Sequence, residues 1–299
     1  MTEELFKLFK LNLPFIVKND DKAKEILNNK DNKIIEERIN NELIGVSVIN
    51  KNTILLLCVN KEYRNKDIGS KLLEKSEKLI KENGYDEIVL GVGFDYLMPG
   101  VPTSKRYYEY EHENLYKKIN EDASNFFAKH GYVHSWDCNC FDMRFELENF
   151  DGYKYSIGDT IDGIYYRWAT VNDIDSICIC TDDAEESFTK YYKNTKLYKT
   201  DNDQRVLIAL KDNEVVGTLI VSNENEGKGI GSIGCTSVKH SYRGKHIAVN
   251  MTILATKYLK ELGLKEGFLG YTYTGLDHLY GYAGYKICIY YMMGKKKLI

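Results

Sequence analysis

The sequence predicts an α/β protein (α+β in the sense that each sheet is mixed) with two domains in tandem. Two observations lead to this prediction: one order of strands, loops and helices occurs twice, and strand-type and helix-type segments alternate within each copy. The chain has 299 residues, which is enough for either one large domain or two of ordinary size, and 43% of them are hydrophobic, as in a globular protein. We predict one domain over residues 1–150 and a second over residues 160–299.

Each copy opens with a pair of predicted strands. Residues 42–49 read Glu-Leu-Ile-Gly-Val-Ser-Val-Ile, and residues 214–221 read Glu-Val-Val-Gly-Thr-Leu-Ile-Val. Both are apolar runs rich in β-branched residues, with glycine at the fourth place, and this composition is typical of a strand. The next apolar runs, residues 53–59 and 233–238, are predicted as the second strand of each pair.

A polar loop containing an arginine follows this pair in each copy. Residues 60–70 read Asn-Lys-Glu-Tyr-Arg-Asn-Lys-Asp-Ile-Gly-Ser, and residues 239–248 read Lys-His-Ser-Tyr-Arg-Gly-Lys-His-Ile-Ala. A short loop that opens a helix presents unpaired N–H groups at the positive end of the helix dipole, where a diphosphate binds readily. Arg64 and Arg243 can add charge-assisted hydrogen bonds. The alternative is an ordinary strand–helix turn with solvated basic residues.

A helix, a strand and a second helix complete each copy. Apolar residues at helical spacing follow each loop: Ile68, Leu72, Leu73, Leu79 and Ile80 in the first copy, and Ile247, Met251, Leu254, Tyr258 and Leu262 in the second. These patterns stop at Gly84 and Gly263. Residues 87–92 and 267–271 are predicted strands, and residues 126–132 and 279–285 are the aromatic, glycine-containing ends of further helices.

The boundary between the copies is predicted between Phe150 and Gly163, because a new strand starts at residue 164 and Thr170 or Asn172 can cap the helix after it. The first copy also carries an irregular aromatic insert over residues 93–120. Its aromatic and acidic side chains suit the binding of a cationic or sugar-like substrate. A lid packed between the two domains is the alternative.

Composition excludes several classes of function. A net charge of −3 gives no general attraction to nucleic acid, and no apolar run approaches the ~20 residues that cross a membrane. The N-terminus lacks a secretory pattern, and seven cysteines without regular spacing indicate reduced thiols in the cytoplasm. Abundant Lys, Asn, Ile and Tyr resemble bacterial proteins from AT-rich genomes. His134, Cys138 and Cys140 match no known zinc spacing, so we expect no metal site.

Both copies resemble the GCN5-related N-acetyltransferase (GNAT) family, whose motif after the fourth strand is Gln/Arg-x-x-Gly-x-Gly/Ala. The second loop starts this motif at Arg243 and departs from it at His246, which replaces the central glycine. The first loop starts it at Arg64 and has Asp67 at that place, which puts a negative charge near a diphosphate. The resemblance covers residues 34–145 and 164–294 and implies two tandem acyl-CoA N-acyltransferase domains.

The resemblance implies acetyl-CoA as co-substrate, with its pantetheine arm between two splayed parallel strands. In the second domain the implied binding residues are Thr236, Ser237, Val238, Arg243, Gly244, Lys245, His246, Ile247 and Ala248. In the first domain they are Leu57, Val59, Arg64, Asn65, Lys66, Asp67, Ile68, Gly69, Ser70 and Asn120. Binding of acetyl-CoA by the second domain is the expectation, and binding by the first is left open.

Direct acetyl transfer to a primary amine needs a neutral amine, a stabilised oxyanion and a proton for the departing thiolate. The family usually supplies that proton from the tyrosine of a Leu-Tyr-x-x-x-Gly-Phe pattern. The second copy has Tyr280 there, whereas the first copy has Phe127. The resemblance therefore implies that Tyr280 is the general acid and that the first domain is a degenerate or substrate-shaping copy. A packed core aromatic is the alternative for Tyr280.

Several questions stay open at the level of sequence. Acidic residues border the implied acceptor site and are either general-base candidates or a solvated helix face: Asp182, Asp183, Glu185 and Glu186. Water is a further candidate for the base. The acceptor is a small-molecule or peptide amine that the sequence does not identify. The alternative function is an acetyl-CoA-binding sensor or regulatory module without turnover, and a third possibility is chemistry in the first domain without a tyrosine.

Overall fold

A computed structural model of the chain describes residues 3–14, 16, 19–91, 97–103, 121–227 and 229–298. These residues fall into two units. The first unit comprises Met1–Phe141 together with Ile289–Ile299, and the second unit comprises Asp142–Cys288. Asn120 and most of the predicted insert 93–120 lie outside the described residues.

The described elements of the first copy are, in order, two helices, three strands, a helix, two strands, a helix and two strands. They are α1 (Glu3–Asn12), α2 (Asp20–Leu27), β1 (Lys33–Ile39), β2 (Glu42–Asn50), β3 (Thr53–Val59), α3 (Ile68–Glu82), β4 (Glu87–Leu90), β5 (Val101–Thr103), α4 (Glu121–Lys129), β6 (Val133–His134) and β7 (Cys140–Glu146). The two helices before β1 were not part of the predicted repeat.

The remaining elements contain a similar succession of two helices, three strands, a helix, a strand and a helix, with two strands before it and two after it. They are β8 (Thr160–Ile161), β9 (Ile164–Trp168), α5 (Ile174–Ala184), α6 (Thr189–Tyr192), β10 (Gln204–Lys211), β11 (Glu214–Gly227), β12 (Ile230–Val238), α7 (Ile247–Glu261), β13 (Glu266–Tyr273), α8 (Asp277–Gly281), β14 (Lys286–Met292) and β15 (Gly294–Lys297). Thr170 caps a 3₁₀ turn over Val171–Asp173 and forms a reciprocal capping box with Asp173. The turn leads into α5, whose own N-cap position is Asp173, so neither predicted candidate occupies it.

The sheet of the first unit has the strand order β1-β2-β3-β4-β15-β6. Here β3 and β4 run parallel, whereas β15, the last strand of the chain, pairs antiparallel with both β4 and β6. In the second unit, neighbouring strands follow the order β7-β13-β12-β11-β10-β9-β8, and β12 and β13 run parallel. The predicted fold class, α/β with mixed sheets, is confirmed.

The glycine shared by the two repeats has a packing role. A Cβ atom on Gly45 of β2 would lie 3.0 Å from Leu72 Cδ1, and one on Gly217 of β11 would lie 3.0 Å from Met251 Sδ. Leu72 is on α3 and Met251 is on α7, the helix that follows each arginine loop. Glycine therefore lets each of these helices approach its sheet closely, which places the start of the helix beside the strand ends.

Each unit has an apolar core around its sheet. In the first unit, Ile80, Ile88 and Tyr132 pack in one cluster, and in the second unit Ile177, Tyr192 and Val206 pack in another. Full burial of side chains of this size contributes about 2 kcal/mol each, so these clusters fix the strands that carry the loops. All seven cysteines are free thiols. Within the described residues, no helix is long and apolar enough to span a bilayer.

Candidate functional site

The central parallel strands of the second unit separate towards their C-terminal ends. Pairing between β12 and β13 is confined to residues 230–232 and 266–268, although β12 continues to Val238 and β13 to Tyr273. A Cβ atom on Gly234 would meet no described atom within 4 Å, so open space borders β12 just past the last pair. This V-shaped opening is where the resemblance placed the pantetheine arm.

A β-bulge interrupts β12 inside the opening. Thr218 of β11 pairs with Ser237 and Ile220 pairs with Gly234, so Cys235 and the residue after it face one residue of β11. The backbone of Cys235 has φ +52, which is uncommon for a residue other than glycine. The bulge therefore turns backbone groups of β12 out of the regular hydrogen-bond ladder.

The arginine loop of the second unit joins β12 to α7 through two residues of positive φ. A 3₁₀ turn spans His240–Tyr242, Gly244 has φ +78 and His246 has φ +56. No side chain of the described residues caps α7, so the first N–H groups of this helix point into the loop. His246 occupies the place of the family's central glycine. A glycine there is explained by the left-handed backbone, which costs any other residue about 1 kcal/mol.

The first unit has the same loop conformation with different residues. Its 3₁₀ turn spans Lys61–Tyr63, Asn65 has φ +60 and Asp67 has φ +58, and α3 begins at Ile68. Asn and Asp tolerate the left-handed region better than other non-glycine residues. The backbone geometry of the repeat has therefore been kept although neither left-handed position of this loop is a glycine.

Both arginine side chains turn back onto the strand that precedes them. Arg243 Nε donates to the Val238 carbonyl at 3.4 Å, and its Nη2 donates to the Ala184 carbonyl at 3.3 Å. Arg64 Nε donates to the Val59 carbonyl at 3.1 Å. Each guanidinium thus braces its loop and still has further N–H donors for an anion.

Two residues outside the loops hold them in place: Asn12, which sequence reasoning missed, and Asp183, which it named only as a candidate base. The Lys61 N–H donates to Asn12 Oδ1 at 3.0 Å, and the His240 N–H donates to Asp183 Oδ2 at 2.7 Å. Asn12 is the last residue of α1 and also accepts from Arg64 Nη2 at 3.3 Å, whereas Asp183 is in the last turn of α5. The repeat therefore includes the first helix of each unit, a similarity that the sequences of the two helices do not show.

These contacts bear on the acidic residues that were candidates for the general base. The hydrogen bond from the His240 backbone N–H lowers the pKa of Asp183, which makes this carboxylate a weaker base. Asp182 accepts from the Thr189 hydroxyl, and Glu185 accepts from the Ser187 N–H. Asp182 and Glu185 therefore serve local structure at the α5–α6 junction, whereas Asp183 holds the arginine loop.

Tyr280 lies on α8 with 7% of its surface exposed, and its hydroxyl donates to Thr236 Oγ1 at 3.4 Å. Burial raises the pKa of Tyr280 to about 12, so the phenol is protonated at neutral pH. The structure thus brings together two residues that sequence reasoning assigned separately, the predicted acid and the predicted pantetheine-binding strand end. The hydroxyl therefore lies beside Thr236, the second residue of the bulge.

The first unit lacks this phenol at the corresponding place. The Tyr132 N–H donates to the Phe127 carbonyl at 3.1 Å, just as the Tyr285 N–H donates to the Tyr280 carbonyl at 3.3 Å. Phe127 is therefore the structural counterpart of Tyr280. Beside it, the ring of Phe126 would lie 3.5 Å from a Cβ atom on Gly69, so an aromatic side chain covers the start of α3.

The other arm of the V has an irregularity of its own. Tyr271 of β13 has φ +58, and its N–H donates to Asp142 Oδ1 at 2.8 Å. Asp142 is 6% exposed and lies on β7, the neighbour of β13 in the sheet. Tyr271 follows the last paired residue of β13 by the same interval as Cys235 on β12. No local sequence signal identifies Asp142, because this contact joins residues far apart in the chain.

The histidine and cysteine group near residue 134 is part of the packing in the first unit. His134 Nε2 contacts the Cys138 carbonyl at 3.0 Å, and His134 Nδ1 accepts from the Met293 N–H at 3.1 Å. Both ring nitrogens are therefore engaged by backbone groups. Across the part of the chain that the structure describes, no group of three or more His, Cys, Asp or Glu side chains is placed to hold a metal ion.

Two family profiles match the chain. The profile described as "Acetyltransferase (GNAT) family" matches residues 168–284, and the one described as "Acetyltransferase (GNAT) domain" matches residues 30–134. Comparison with curated proteins finds no match.

Solved structures are similar along nearly the whole chain. A fungal multi-domain GH3 beta-N-acetylglucosaminidase with a GCN5-related glucosamine N-acetyltransferase region has a TM-score of 0.75 and 19% identity, and the match covers 98% of this chain and 36% of that one. A tandem GNAT protein from the clavulanic acid biosynthesis pathway has a TM-score of 0.67 and 12% identity over 98% and 94% of the two chains. A GCN5-related N-acetyltransferase from Sphaerobacter thermophilus has a TM-score of 0.67 and 15% identity over 98% and 91%. At these identities the likeness concerns the fold.

Proposed function

Because the chain belongs to the GNAT acetyltransferase family in its tandem two-domain form, we propose that its second unit transfers the acetyl group of acetyl-CoA to a primary amine. Acyl transfer to nitrogen is the general activity of the family, whereas the acetyl donor, the amine acceptor and the acid are our assignments. The observation that carries them is the contact of the Tyr280 hydroxyl with Thr236 Oγ1, 3.4 Å away, at the bulge of β12.

In this proposal the arginine loop and β12 bind acetyl-CoA. The N–H groups of residues 244–248, at the positive end of α7, bind the diphosphate, and a remaining N–H donor of Arg243 adds a charged contact. Residues 236–238 of β12 line the pantetheine arm. Backbone groups at the bulge lie where they can polarise the thioester carbonyl, because the regular ladder is interrupted there.

The chemistry is direct attack of a neutral amine on the thioester carbon. The C–N bond forms and the C–S bond breaks, and the Tyr280 hydroxyl gives its proton to the departing thiolate. A base or water takes the proton released by the amine nitrogen. A tyrosine whose pKa is raised to about 12 holds its proton through the neutral range, as this role requires.

We assign the first unit a supporting role, because Phe127 cannot donate a proton and Phe126 covers Gly69 at the start of α3. Its loop retains the backbone conformation, so acetyl-CoA binding there is a separate question. If the first unit binds, the contacts come from Leu57 and Val59 of β3 and from loop residues 64–70.

Calorimetric titration of acetyl-CoA tests the binding part of the proposal. We compare wild type with Arg243→Glu and with Arg64→Glu, which makes the same change in a loop of the same conformation. We expect wild type to bind, Arg243→Glu to lose the site of the second unit, and Arg64→Glu to retain it. Absence of binding by wild type would refute the proposal.

Turnover is tested with a panel of small-molecule and peptide amines by detecting the free thiol of released CoA. Thiol release that depends on the amine and disappears in Arg243→Glu supports the enzyme. Tight acetyl-CoA binding without thiol release for any amine would instead support the sensor or regulatory module.

A further inference from the structure

The carbonyl group of the bulge residue Cys235 has an unusual partner. The buried hydroxyl of Tyr192 donates to this carbonyl at 2.7 Å, whereas Ser237 Oγ is farther away at 3.4 Å. In a regular strand the carbonyl would bond to a neighbouring strand, but the bulge breaks the ladder with β11 here, and β13 no longer pairs at this height. A side chain from the helical segment thus replaces the missing ladder contact.

Tyr192 is held rigidly enough to act as a fixed donor. Its side chain is fully buried in the cluster that contains Ile177 and Val206. Its own carbonyl accepts from the Tyr198 hydroxyl at 2.6 Å, which fastens the end of α6. Burial raises the pKa of the Tyr192 phenol well above its ordinary value, so it keeps the proton that it donates.

The hydrogen bond fixes the orientation of the peptide group between Cys235 and Thr236. A trans peptide is planar, so its N–H points opposite to its C=O. Because the carbonyl points to Tyr192, the Thr236 N–H points away from α6. The same residue, Thr236, carries the hydroxyl that accepts from Tyr280. The left-handed φ of Cys235 is strained, so this peptide needs an external contact to stay in place.

We propose that Tyr192 is a positioning residue for acetyl transfer, whose hydroxyl orients the Cys235–Thr236 peptide towards the thioester carbonyl of acetyl-CoA. This inference rests on the proposed function, because it concerns the geometry of the same site. It predicts a role that a purely structural core tyrosine lacks, namely an effect on the bound acetyl carbonyl.

Tyr192→Phe tests the inference, since it removes the hydroxyl and keeps the ring. The matched control is Tyr285→Phe, another buried tyrosine, whose hydroxyl accepts from Thr256 Oγ1 at 3.4 Å and lies beside Gly267, in the paired region of the V. The first readout is the infrared stretch of acetyl-CoA labelled with ¹³C at the carbonyl, bound without an amine. The second is the separation of kcat from the KM for acetyl-CoA.

We expect the carbonyl stretch of bound acetyl-CoA to rise towards its value in water in Tyr192→Phe and to stay unchanged in Tyr285→Phe. We expect kcat to fall about tenfold with little change in KM, less than the hundredfold or more that follows removal of an oxyanion donor itself. An unchanged stretch and an unchanged kcat in a folded Tyr192→Phe would overturn the inference.

Two further outcomes are distinguishable. If wild type does not bind acetyl-CoA, the proposed function fails, and the inference fails with it. If wild type binds and turns over while Tyr192→Phe behaves like wild type, only the inference fails.

If Tyr192→Phe does not fold, Tyr198→Phe takes its place, because removal of the Tyr198 hydroxyl loosens Tyr192 and leaves the Tyr192 hydroxyl present. In Tyr198→Phe, a smaller shift of the carbonyl stretch in the same direction supports the inference, whereas the absence of a shift overturns it.

Discussion

Replacing Tyr280 by phenylalanine removes one hydroxyl and should separate catalysis from stability. The hydroxyl has a long hydrogen bond, 3.4 Å to Thr236 Oγ1, and the ring stays buried at 7% exposure. Loss of such a bond costs about 1 kcal/mol of unfolding free energy or less. Loss of a general acid lowers the rate about 10²- to 10⁴-fold, which is about 3–5 kcal/mol of activation free energy. The effect on rate should therefore exceed the effect on stability several times.

Tyr285→Phe is the matched control for this comparison. Tyr285 is 2% exposed, and its hydroxyl accepts a hydrogen bond of the same length, 3.4 Å, from Thr256. Its loss should cost a similar amount of stability and leave the rate unchanged. The assay is CoA thiol release at saturating acetyl-CoA and amine, with urea unfolding measured in parallel.

The pH profile adds a second criterion. An acid with a pKa near 12 stays protonated from pH 6 to pH 10, so Tyr280 should cause no fall of kcat in that range. Its contribution is lost only as the pH rises through about 12. Equal kcat values for Tyr280→Phe and Tyr285→Phe, with both proteins folded, would refute the role of Tyr280 as the acid.

Three further predictions concern local geometry. Arg167 binds both carboxylate oxygens of Asp173 at 2.8 Å and lowers the Asp173 pKa to about 2, so this pair should stabilise the protein above about pH 4 and lose its effect as the pH falls through about 2. Asp173→Asn should cost about 1 kcal/mol at pH 7, because the partly exposed pair is screened by solvent, and its urea midpoint should meet that of wild type near pH 2. Gly217→Ala places a Cβ atom 3.0 Å from two side chains of α7, so we expect a loss of about 1–3 kcal/mol in urea unfolding, and an unchanged midpoint would contradict this packing. His246→Gly relieves a φ of +56 and should change stability by less than about 1 kcal/mol without weakening acetyl-CoA binding, which calorimetry can check.

Sequence patterns were sufficient to predict the repeat and the two arginine loops, because these features depend on residues close together in the chain. Strand-type and helix-type periodicity on either side of Arg64 and Arg243 predicted two loops that each enter a helix, and the structure has both. Tyr280 was assigned to the acid from a seven-residue pattern, and the structure brings it to Thr236, although its role as an acid remains a prediction. Asp67 and His246 stand where the family has glycine, and the structure shows that both take the left-handed backbone conformation.

Only the tertiary structure decided which side chains hold this site. Asn12 and Asp183 fasten the two loops, Tyr192 fixes the bulge carbonyl of Cys235, and Asp142 holds the other arm of the V at Tyr271. It also places Ile289–Ile299, the end of the chain, in the first unit. These contacts join residues distant along the chain, so no local periodicity reports them. A polar group displaced from a bulge or a loop takes whichever partner the path of the chain brings within hydrogen-bond distance, and that path is a property of the whole fold.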